Sequence, residues 1–375
     1  MQTGEESSAW AALTRAPALD IPTLSRALEI FGSGQGITQA SDAARERAGI
    51  SAAARQFLSS PAAAPTSAER AWLEQPRHRV VPFTDPSYPA LLRGAERYPM
   101  ALYVAGNAAA LDDPQLAIVG SRNPTPQGRD TAHDLAEYLA GRGLVITSGL
   151  ALGIDSAAHR GALLAQGITL AVLGSGVDVV YPRSNRSLSI EIRQQGALVS
   201  GFPLGTPPRR ENFPQRNAII AALSLGTLVV EAARRSGSLI TARQALNCGR
   251  EVFAIPGSIY SPLSRGCHEL IRQGAKLTET AHDILSELNF SAFFAGQSVA
   301  PEDPGTPVPG EEGMDKAHKI LLDALGFDPV DLDALVVRTG FKPAAVSSMM
   351  LILELEGHVQ AAPGGRYSRV VRSRR

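Results

Sequence analysis

The sequence predicts an α/β protein with a doubly wound parallel sheet, preceded by a small helical segment and followed by a winged-helix-like segment. Six short apolar runs alternate with amphipathic helical patterns between residues 115 and 290. Four of these runs end directly in Gly or Ser-Gly, which is typical of a strand that turns toward a helix. Near-continuous apolar strands indicate a parallel sheet with helices on both faces, which is a Rossmann-like arrangement.

The elements follow one another in a simple order. Residues 1–70 are rich in alanine and place apolar side chains three to four positions apart, so we expect a small helical domain. Short β-type runs at 78–83 and 101–104 open the segment 75–290, which we expect to form the Rossmann-fold domain. The six predicted strands of its sheet are 116–119, 144–147, 169–173, 197–200, 227–230 and 252–255.

The C-terminal part is predicted to be a linker and a second small domain. Residues 291–314 contain four prolines and four glycines, which favours a flexible linker. Residues 315–375 contain three helical patterns and a β-like tail, the outline of a winged helix. Its third helix, 342–355, has Lys342 as its sole cation, so we expect a packing or partner surface rather than a reader of bases.

Composition excludes several classes of protein. The 375 residues include 36 Lys+Arg and 36 Asp+Glu, a balance that excludes a histone-like polycation. Two cysteines, Cys248 and Cys267, exclude a disulfide scaffold, and the seven histidines lack zinc-ligand spacing, so no metal is expected. We expect no signal peptide and no membrane span, because the first residues are acidic and polar residues interrupt the longest charge-free run. The protein is therefore expected to be cytoplasmic.

Glycine, serine and arginine follow the predicted strands where a ligand would lie. In an open parallel sheet, ligands bind beyond the carboxyl ends of the strands, where glycine turns and helix N-termini present backbone N–H groups to anions. Each of these turns is therefore a candidate phosphate cradle. The candidates after the first three strands are Gly120, Ser121, Arg122, Ser148, Gly149, Gly174, Gly176, Arg183 and Asn185.

Arginine is concentrated between residues 183 and 250, where ten arginines accompany three acidic residues. The planar guanidinium group binds phosphate oxygens and stacks on bases, so this segment favours a polyanionic ligand. Phe213, Arg216 and Asn217 lie in one turn that combines an aromatic ring with basic and amide groups, a composition typical of a single-strand groove. Phe213 is equally compatible with stacking on a base and with filling a core position.

Signatures of catalysis and of cofactors are weak. Arg122 stands where the second glycine of a Gly-x-Gly-x-x-Gly fingerprint belongs, so no dinucleotide cofactor is expected. The sequence also lacks a Gly-x-Ser-x-Gly elbow and a Gly-Lys-Ser/Thr loop. Asp155 and His159 share a helix face, but an acid in the first helical turn is already explained by the helix dipole. We therefore expect no catalytic residue and no enzyme activity.

Together these motifs resemble the DNA-processing protein A family, called DprA or Smf. The resemblance covers about residues 78–290 and depends on many motifs in a fixed order. They are Val119–Arg122, Ser148–Asp155, Ala171–Asp178, Tyr181–Pro182, Phe213–Asn217, Glu231–Ala232, Ser236–Ala242, Gly249–Arg250 and Val252–Gly257.

The resemblance implies an extended Rossmann domain with a small helical, SAM-like domain before it and a winged helix after it. It implies a protein that binds single-stranded DNA without sequence preference, protects incoming strands in natural transformation and loads the RecA recombinase. It also implies a homodimer formed through the later part of the Rossmann domain. The DNA-contacting positions that it adds or supports are Arg122, Arg183, Arg216, Asn217, Ser236, Gly237 and Ser238.

Two positions depart from the family pattern. Gly201 stands where the family has glutamate, and Ala218 stands where it has a second arginine. The missing arginine removes one expected backbone contact, whereas the missing glutamate removes a charge that would repel phosphate.

A nucleotide hydrolase of the phosphoribohydrolase type is the alternative. Those enzymes share the fold class and a Gly-Thr turn followed by an acid, which Gly226, Thr227 and Glu231 resemble. The Pro-Gly-Gly run that precedes their turn is replaced here by Ser224-Leu225.

Overall fold

The computed structural model describes residues 4–288, 315–326, 329–362 and 364–370. The predicted linker at 291–314 and the last three arginines of the basic tail lie outside the described residues.

Six short helices form the N-terminal part of the chain, and polar side chains begin most of them. Asp20, Ser33, Ser41, Ser51 and Thr66 each accept a hydrogen bond from a backbone N–H in the first turn of the following helix. The helices are α1 (Gly4–Arg15), α2 (Ile21–Phe31), α3 (Gly34–Gln39), α4 (Asp42–Arg47), α5 (Ala52–Leu58) and α6 (Ser67–Leu73).

A nine-stranded sheet follows. Its strands are β1 (His78–Pro82), β2 (Ala101–Gly106), β3 (Gln115–Val119), β4 (Val145–Ser148), β5 (Thr169–Val172), β6 (Ala197–Ser200), β7 (Gly226–Val229), β8 (Glu251–Ala254) and β9 (Lys276–Leu277). Their order is β1-β2-β6-β5-β4-β3-β7-β8-β9. Strands β3 to β9 are parallel to their neighbours in that series, while β1 and β2 form an antiparallel edge.

The sheet confirms the predicted doubly wound fold. The six strands predicted from apolar runs are β3 to β8, and they are buried along nearly their whole length because helices cover both faces. The two-residue strand β9 has no apolar run and is not predicted by the sequence.

The covering helices determine where a ligand can enter. They are α7 (Ala90–Arg93), α8 (Pro126–Gly141), α9 (Ile154–Leu164), α10 (Arg186–Gln195), α11 (Asn212–Leu223), α12 (Gly237–Asn247), α13 (Arg265–Arg272) and α14 (Ala281–Glu287). The chain moves outward from β3 to β6 and then returns through α11 to β7, on the other side of β3. The strand order reverses between β3 and β7, and a crevice for ligands is expected at such a point.

The N-terminal helices share one continuous apolar core with one face of the sheet, and a second apolar core lies on the opposite face. Trp10 meets Phe83 edge-on at 6.0 Å between ring centroids, and the ring of Trp72 lies 6.1 Å from that of Tyr103. The Tyr103 hydroxyl also lies 2.6 Å from the Thr14 hydroxyl. The division near residue 70 therefore separates helices from strands along the chain without separating their cores.

The C-terminal residues form a winged helix with a separate apolar core. Asp331 caps the second helix by accepting a hydrogen bond from Ala334 N–H, and Gly340 ends that helix with a φ of +70°. The elements are α15 (Lys316–Leu325), β10 (Val330–Asp331), α16 (Leu332–Thr339), α17 (Pro343–Leu355), β11 (Val359–Ala362) and β12 (Arg366–Arg369).

Helix α17 has an apolar surface as well as an apolar core face. Met350 and Leu353 are buried, whereas Leu351 and Leu355 are exposed. Among the described helices, no single one is long and apolar enough to span a membrane. The pair α16 and α17 is apolar enough jointly, but the two helices are bent by 112°.

Candidate nucleic-acid interface

A cavity of about 550 Å³ opens at the carboxyl end of the sheet, beside the point where the strand order reverses. Loops that follow β3, β4 and β7 form its wall together with the first half of α11. We call it the switch-point cavity. The sequence-predicted residues that line it are Gly120, Arg122, Phe213, Arg216, Asn217, Ser236, Gly237 and Ser238.

Phe213 is the aromatic centre of this cavity. The guanidinium carbons of Arg122 and Arg216 each lie 5.6 Å from the centroid of its ring, within the range of a cation–π interaction. The Tyr181 ring lies 6.1 Å away. A Cβ atom at position 174 would come within 3.1 Å of the Phe213 ring, so Gly174 makes room for it. The half-buried ring therefore packs against the protein and also lines the basic cavity.

Arg216 is a buried charge beneath the cavity, with 4% of its surface exposed. Its Nη1 donates to the carbonyl oxygens of Gly149 and Val172, and its Nε donates to Oδ1 of Asn217 at 3.0 Å. Burial lowers the pKa of Arg216 to about 10, and the negative charge of Asp155 opposes this shift. At neutral pH the side chain is therefore a cation that holds the β4 and β5 ends together.

Asp155 organises the loop that follows β4. Its carboxylate accepts hydrogen bonds from the backbone N–H groups of Gly149 at 3.1 Å and Ala151 at 3.3 Å. Burial raises the pKa of Asp155, and Arg216 acts against that rise. His159, on the same helix, is buried and pairs through Nδ1 with the Thr169 hydroxyl at 2.7 Å. The acid and the histidine therefore have separate structural partners.

Glu231 positions the loop that carries Arg122. The Thr125 backbone N–H and hydroxyl donate to its carboxylate at 2.9 Å and 2.6 Å, and Thr125 in turn caps α8. Burial raises the pKa of Glu231, while the bonds from Thr125 lower it. Glu231, the acid on which the hydrolase alternative depends, is thus hydrogen-bonded to Thr125 and does not line the switch-point cavity.

The N-terminus of α12 forms the opposite wall of the cavity. Ser236 Oγ accepts a hydrogen bond from Ser238 N–H at 3.3 Å, and the two hydroxyl oxygens lie 2.6 Å apart. Asn217 Nδ2 donates to the Gly237 carbonyl at 3.4 Å, which links α11 to this turn. A helix N-terminus carries partial positive charge, so this wall adds to the field of the arginines.

Several predicted residues make hydrogen bonds within the protein, and a direct contact of these residues with DNA stays a prediction. Ser148 Oγ donates to Ile118 carbonyl at 2.6 Å, and Gly176 N–H donates to Thr206 carbonyl at 2.9 Å. Asn185 is buried, and its Nδ2 donates to Leu150 carbonyl at 2.8 Å. Gly149 and Gly174 leave room for the side chains of Arg216 and Phe213, which line the cavity.

Ser121 and Arg183 lie beside the cavity rather than in its lining. Ser121 Oγ accepts from Asn123 N–H at 3.1 Å, and its carbonyl accepts from Ile154 N–H at 3.1 Å, so it shapes the first turn. Arg183 is exposed and follows the lining residue Tyr181 by two positions. It is therefore close to the lining along the chain without being part of it.

Sequence reasoning missed Arg210 as a site residue. Arg210 is exposed and lines the switch-point cavity. It is brought there because Asn212, which begins α11, donates from Nδ2 to the carbonyls of Gly174 at 3.0 Å and Pro207 at 3.3 Å. Arg210 lies in an arginine-rich turn, which indicates a basic surface. The local sequence gives no reason to choose Arg210 over the adjacent Arg209 as the residue that reaches the cavity.

Known proteins share both parts of this architecture. The family model of DNA recombination-mediator protein A matches residues 79–289, and the model of the DprA winged helix domain matches residues 302–365. The chain belongs to the DprA/Smf family. The prediction from sequence motifs is therefore confirmed.

Among DprA/Smf relatives, Protein Smf of Escherichia coli is 44% identical over 313 residues, which cover 83% of this chain and 83% of that protein. The DNA processing protein DprA of Streptococcus pneumoniae is 46% identical over 206 residues, covering 55% of this chain and 73% of its own.

Two solved structures share the DprA fold. The X-ray structure of S. pneumoniae DprA superposes with a TM-score of 0.63 at 36% identity, covering 76% of this chain and 98% of that one. DNA processing protein A of Helicobacter pylori, whose structure concerns a single-stranded DNA binding mode, gives a TM-score of 0.51 at 31% identity, covering 54% of this chain and 93% of its own.

The burial of Arg216 predicts a loss of stability on its removal. In Arg216→Ala, Asp155 and two carbonyl groups lose a buried partner, so we expect the free energy of unfolding to fall by about 3–5 kcal/mol. Arg122→Ala removes an exposed side chain and should change it by less than about 0.5 kcal/mol. Urea denaturation of both variants measures the difference. Equal unfolding midpoints for the two variants would show that buried Arg216 does not stabilise the fold.

Proposed function

We propose that this DprA/Smf chain binds single-stranded DNA at the switch-point cavity, largely without regard to sequence. One observation carries the proposal: the guanidinium groups of Arg122 and Arg216 both lie within cation–π distance of the Phe213 ring, in a cavity that Arg210 also lines. Aromatic rings among cations are the means by which proteins hold unpaired strands. The single-stranded DNA binding described for the H. pylori relative supports the same assignment.

The cavity divides the work of binding among its residues. Arg122, Arg210 and Arg183 are exposed and would neutralise phosphates, while the N-terminus of α12 adds backbone N–H groups. A base would stack on Phe213 or on Tyr181, since every base offers an aromatic face. Contacts of these kinds carry little sequence information, so binding is expected to be insensitive to sequence.

Single-strand binding leads to the finer proposal that the chain protects incoming strands in natural transformation and loads RecA. The matching family is named DNA recombination-mediator protein A, and the S. pneumoniae relative is named a DNA processing protein. A protein that grips the phosphodiester chain at one rim leaves the rest of the strand open to a recombinase.

We further propose a homodimer formed through the later part of the Rossmann domain. Large apolar side chains are exposed there, namely Leu246 on α12 and Ile259 and Tyr260 after β8. Exposed apolar and aromatic residues of this kind favour an interface. Two copies would supply two cavities to one strand, and the second contact would gain from effective concentration.

Arginine substitutions test the binding site. Arg122→Ala and Arg183→Ala should each weaken binding of a labelled oligothymidylate, because each removes a phosphate contact. Each should also make the plot of log affinity against log salt shallower by about 0.7. Fluorescence anisotropy across a salt series measures both effects, with Arg47→Ala on α4 as the control because Arg47 is exposed and lines no part of the cavity. Wild-type behaviour of both variants would refute the site.

RecA loading has its own test. On a strand covered by single-strand-binding protein, the wild-type chain should shorten the lag before RecA hydrolyses ATP, and a variant carrying Arg122→Ala with Arg183→Ala should do so less. An unchanged lag with the wild-type chain would refute loading while leaving DNA binding intact.

The dimer proposal predicts a change in mass. Leu246→Asp combined with Tyr260→Asp should convert the dimer to a monomer, because burying the new carboxylates would be unfavourable. Light scattering during gel filtration measures the mass. Leu164→Asp, at an exposed apolar position of α9, is the matched control. A wild-type chain that elutes as a monomer at micromolar concentration would contradict the proposal.

A further inference from the structure

A second cavity, of about 260 Å³, lies next to the switch-point cavity. Its wall is formed by one face of α10, the segment 177–180, the end of α6 and the start of β1. We call it the α10 groove. Neither the resemblance to the family nor the binding site described above assigns it a role.

One face of α10 gives this groove a positive stripe. Arg186, Ile190 and Arg193 all line the groove, and their spacing of four and three residues places them on the same side of the helix. Seven residues of helix separate the two arginines by roughly 10 Å along the axis. Both are exposed, and within the described residues neither guanidinium group has a hydrogen-bonding or ionic partner. Two cations are therefore available to a ligand.

The groove and the switch-point cavity meet at one short segment. Val180 lines the groove, and the next residue, Tyr181, lines the switch-point cavity with 47% of its surface exposed. Arg183 follows in the turn that leads into α10, and it is exposed and without a partner among the described residues. Arginines thus follow one another along the chain from the switch-point cavity, past Tyr181, to the α10 groove, with Arg183 between the two.

Asp178 is the acidic residue among those that line the groove, and its carboxylate is hydrogen-bonded to the backbone. Asp178 lines the wall, and both of its carboxylate oxygens accept the Gly205 N–H, at 2.9 Å and 3.0 Å. At the far end, burial lowers the pKa of His78 and the charge of nearby Arg193 lowers it further, while the Trp72 carbonyl acts in the opposite direction. With His78 neutral, the lining carries the two guanidinium groups of α10 against the single carboxylate of Asp178, a net charge of +1.

We propose that the α10 groove holds the continuation of the same single strand that the switch-point cavity binds, with phosphates at Arg186 and Arg193 and the crossing at Arg183. The inference rests on the proposed function. Continuity of the positive residues with that cavity, through Tyr181, favours a nucleic-acid strand over a separate acidic protein. The N-terminal helices then contribute the far wall of the DNA path, through α6.

The test compares strands of two lengths. Oligothymidylates of about 4 and about 16 nucleotides span the site sizes known for small single-strand-binding domains. A variant with Arg186→Ala and Arg193→Ala should bind the longer strand more weakly, with a salt slope shallower by about 1.4, because two phosphate contacts are lost. The short strand, which fills the switch-point cavity alone, should bind as it does to the wild-type chain.

The control replaces two exposed arginines that line neither cavity, Arg47 on α4 and Arg272 on α13. Wild-type binding of both strands by this control, together with the length-dependent loss in the α10 variant, supports the groove. Equal weakening of both lengths would indicate a general field effect and overturn the groove. If the α10 variant binds the long strand with the wild-type slope while Arg122→Ala binds weakly, the groove is wrong and the first site stands. If the wild-type chain binds neither strand, the proposed function itself fails.

Discussion

The buried guanidinium group of Arg216 is the interaction on which the site depends. A cation in a protein interior is tolerated only where acceptors and an opposite charge compensate for lost water. Here the carbonyls of Gly149 and Val172 and the charge of Asp155 supply that compensation. Because these partners come from the ends of β4 and β5, the requirement to pair one arginine also fixes the loops around it. The Phe213 ring lies within cation–π distance of both this fixed cation and the exposed Arg122.

Neutral overall composition and a local polyanion site are compatible in this chain for a structural reason. Arg122 and the nearby pair Arg210 and Arg216 come from separate parts of the chain, and the fold brings them together at the carboxyl end of the sheet. Glu231 lies close to the same edge, but its carboxylate is occupied by Thr125 and stabilises a loop. The net charge near the cavity therefore depends on which charged side chains the fold brings there, more than on the overall composition.

Much of the fold could be predicted from sequence because each buried parallel strand is a continuous run of apolar residues. The runs at β3 to β8 are apolar throughout, and the glycines after them mark the edge of the sheet. No comparable sequence pattern shows whether an individual polar side chain points into the protein or toward solvent. Asn185 and Arg183 are two residues apart in one turn, yet one supports Leu150 from inside and the other is exposed. From the sequence alone Arg216 would be expected on the surface, and only the packing of β4, β5 and α11 shows that it is buried.

The continuous core of the first helices and the antiparallel edge bears on how this protein could have changed over time. Trp10 and Trp72 pack against Phe83, which follows β1, and Tyr103 of β2, so shortening the chain ahead of residue 78 would remove this packing. A relative that begins later must therefore either carry smaller residues on those strands or cover them with a different segment.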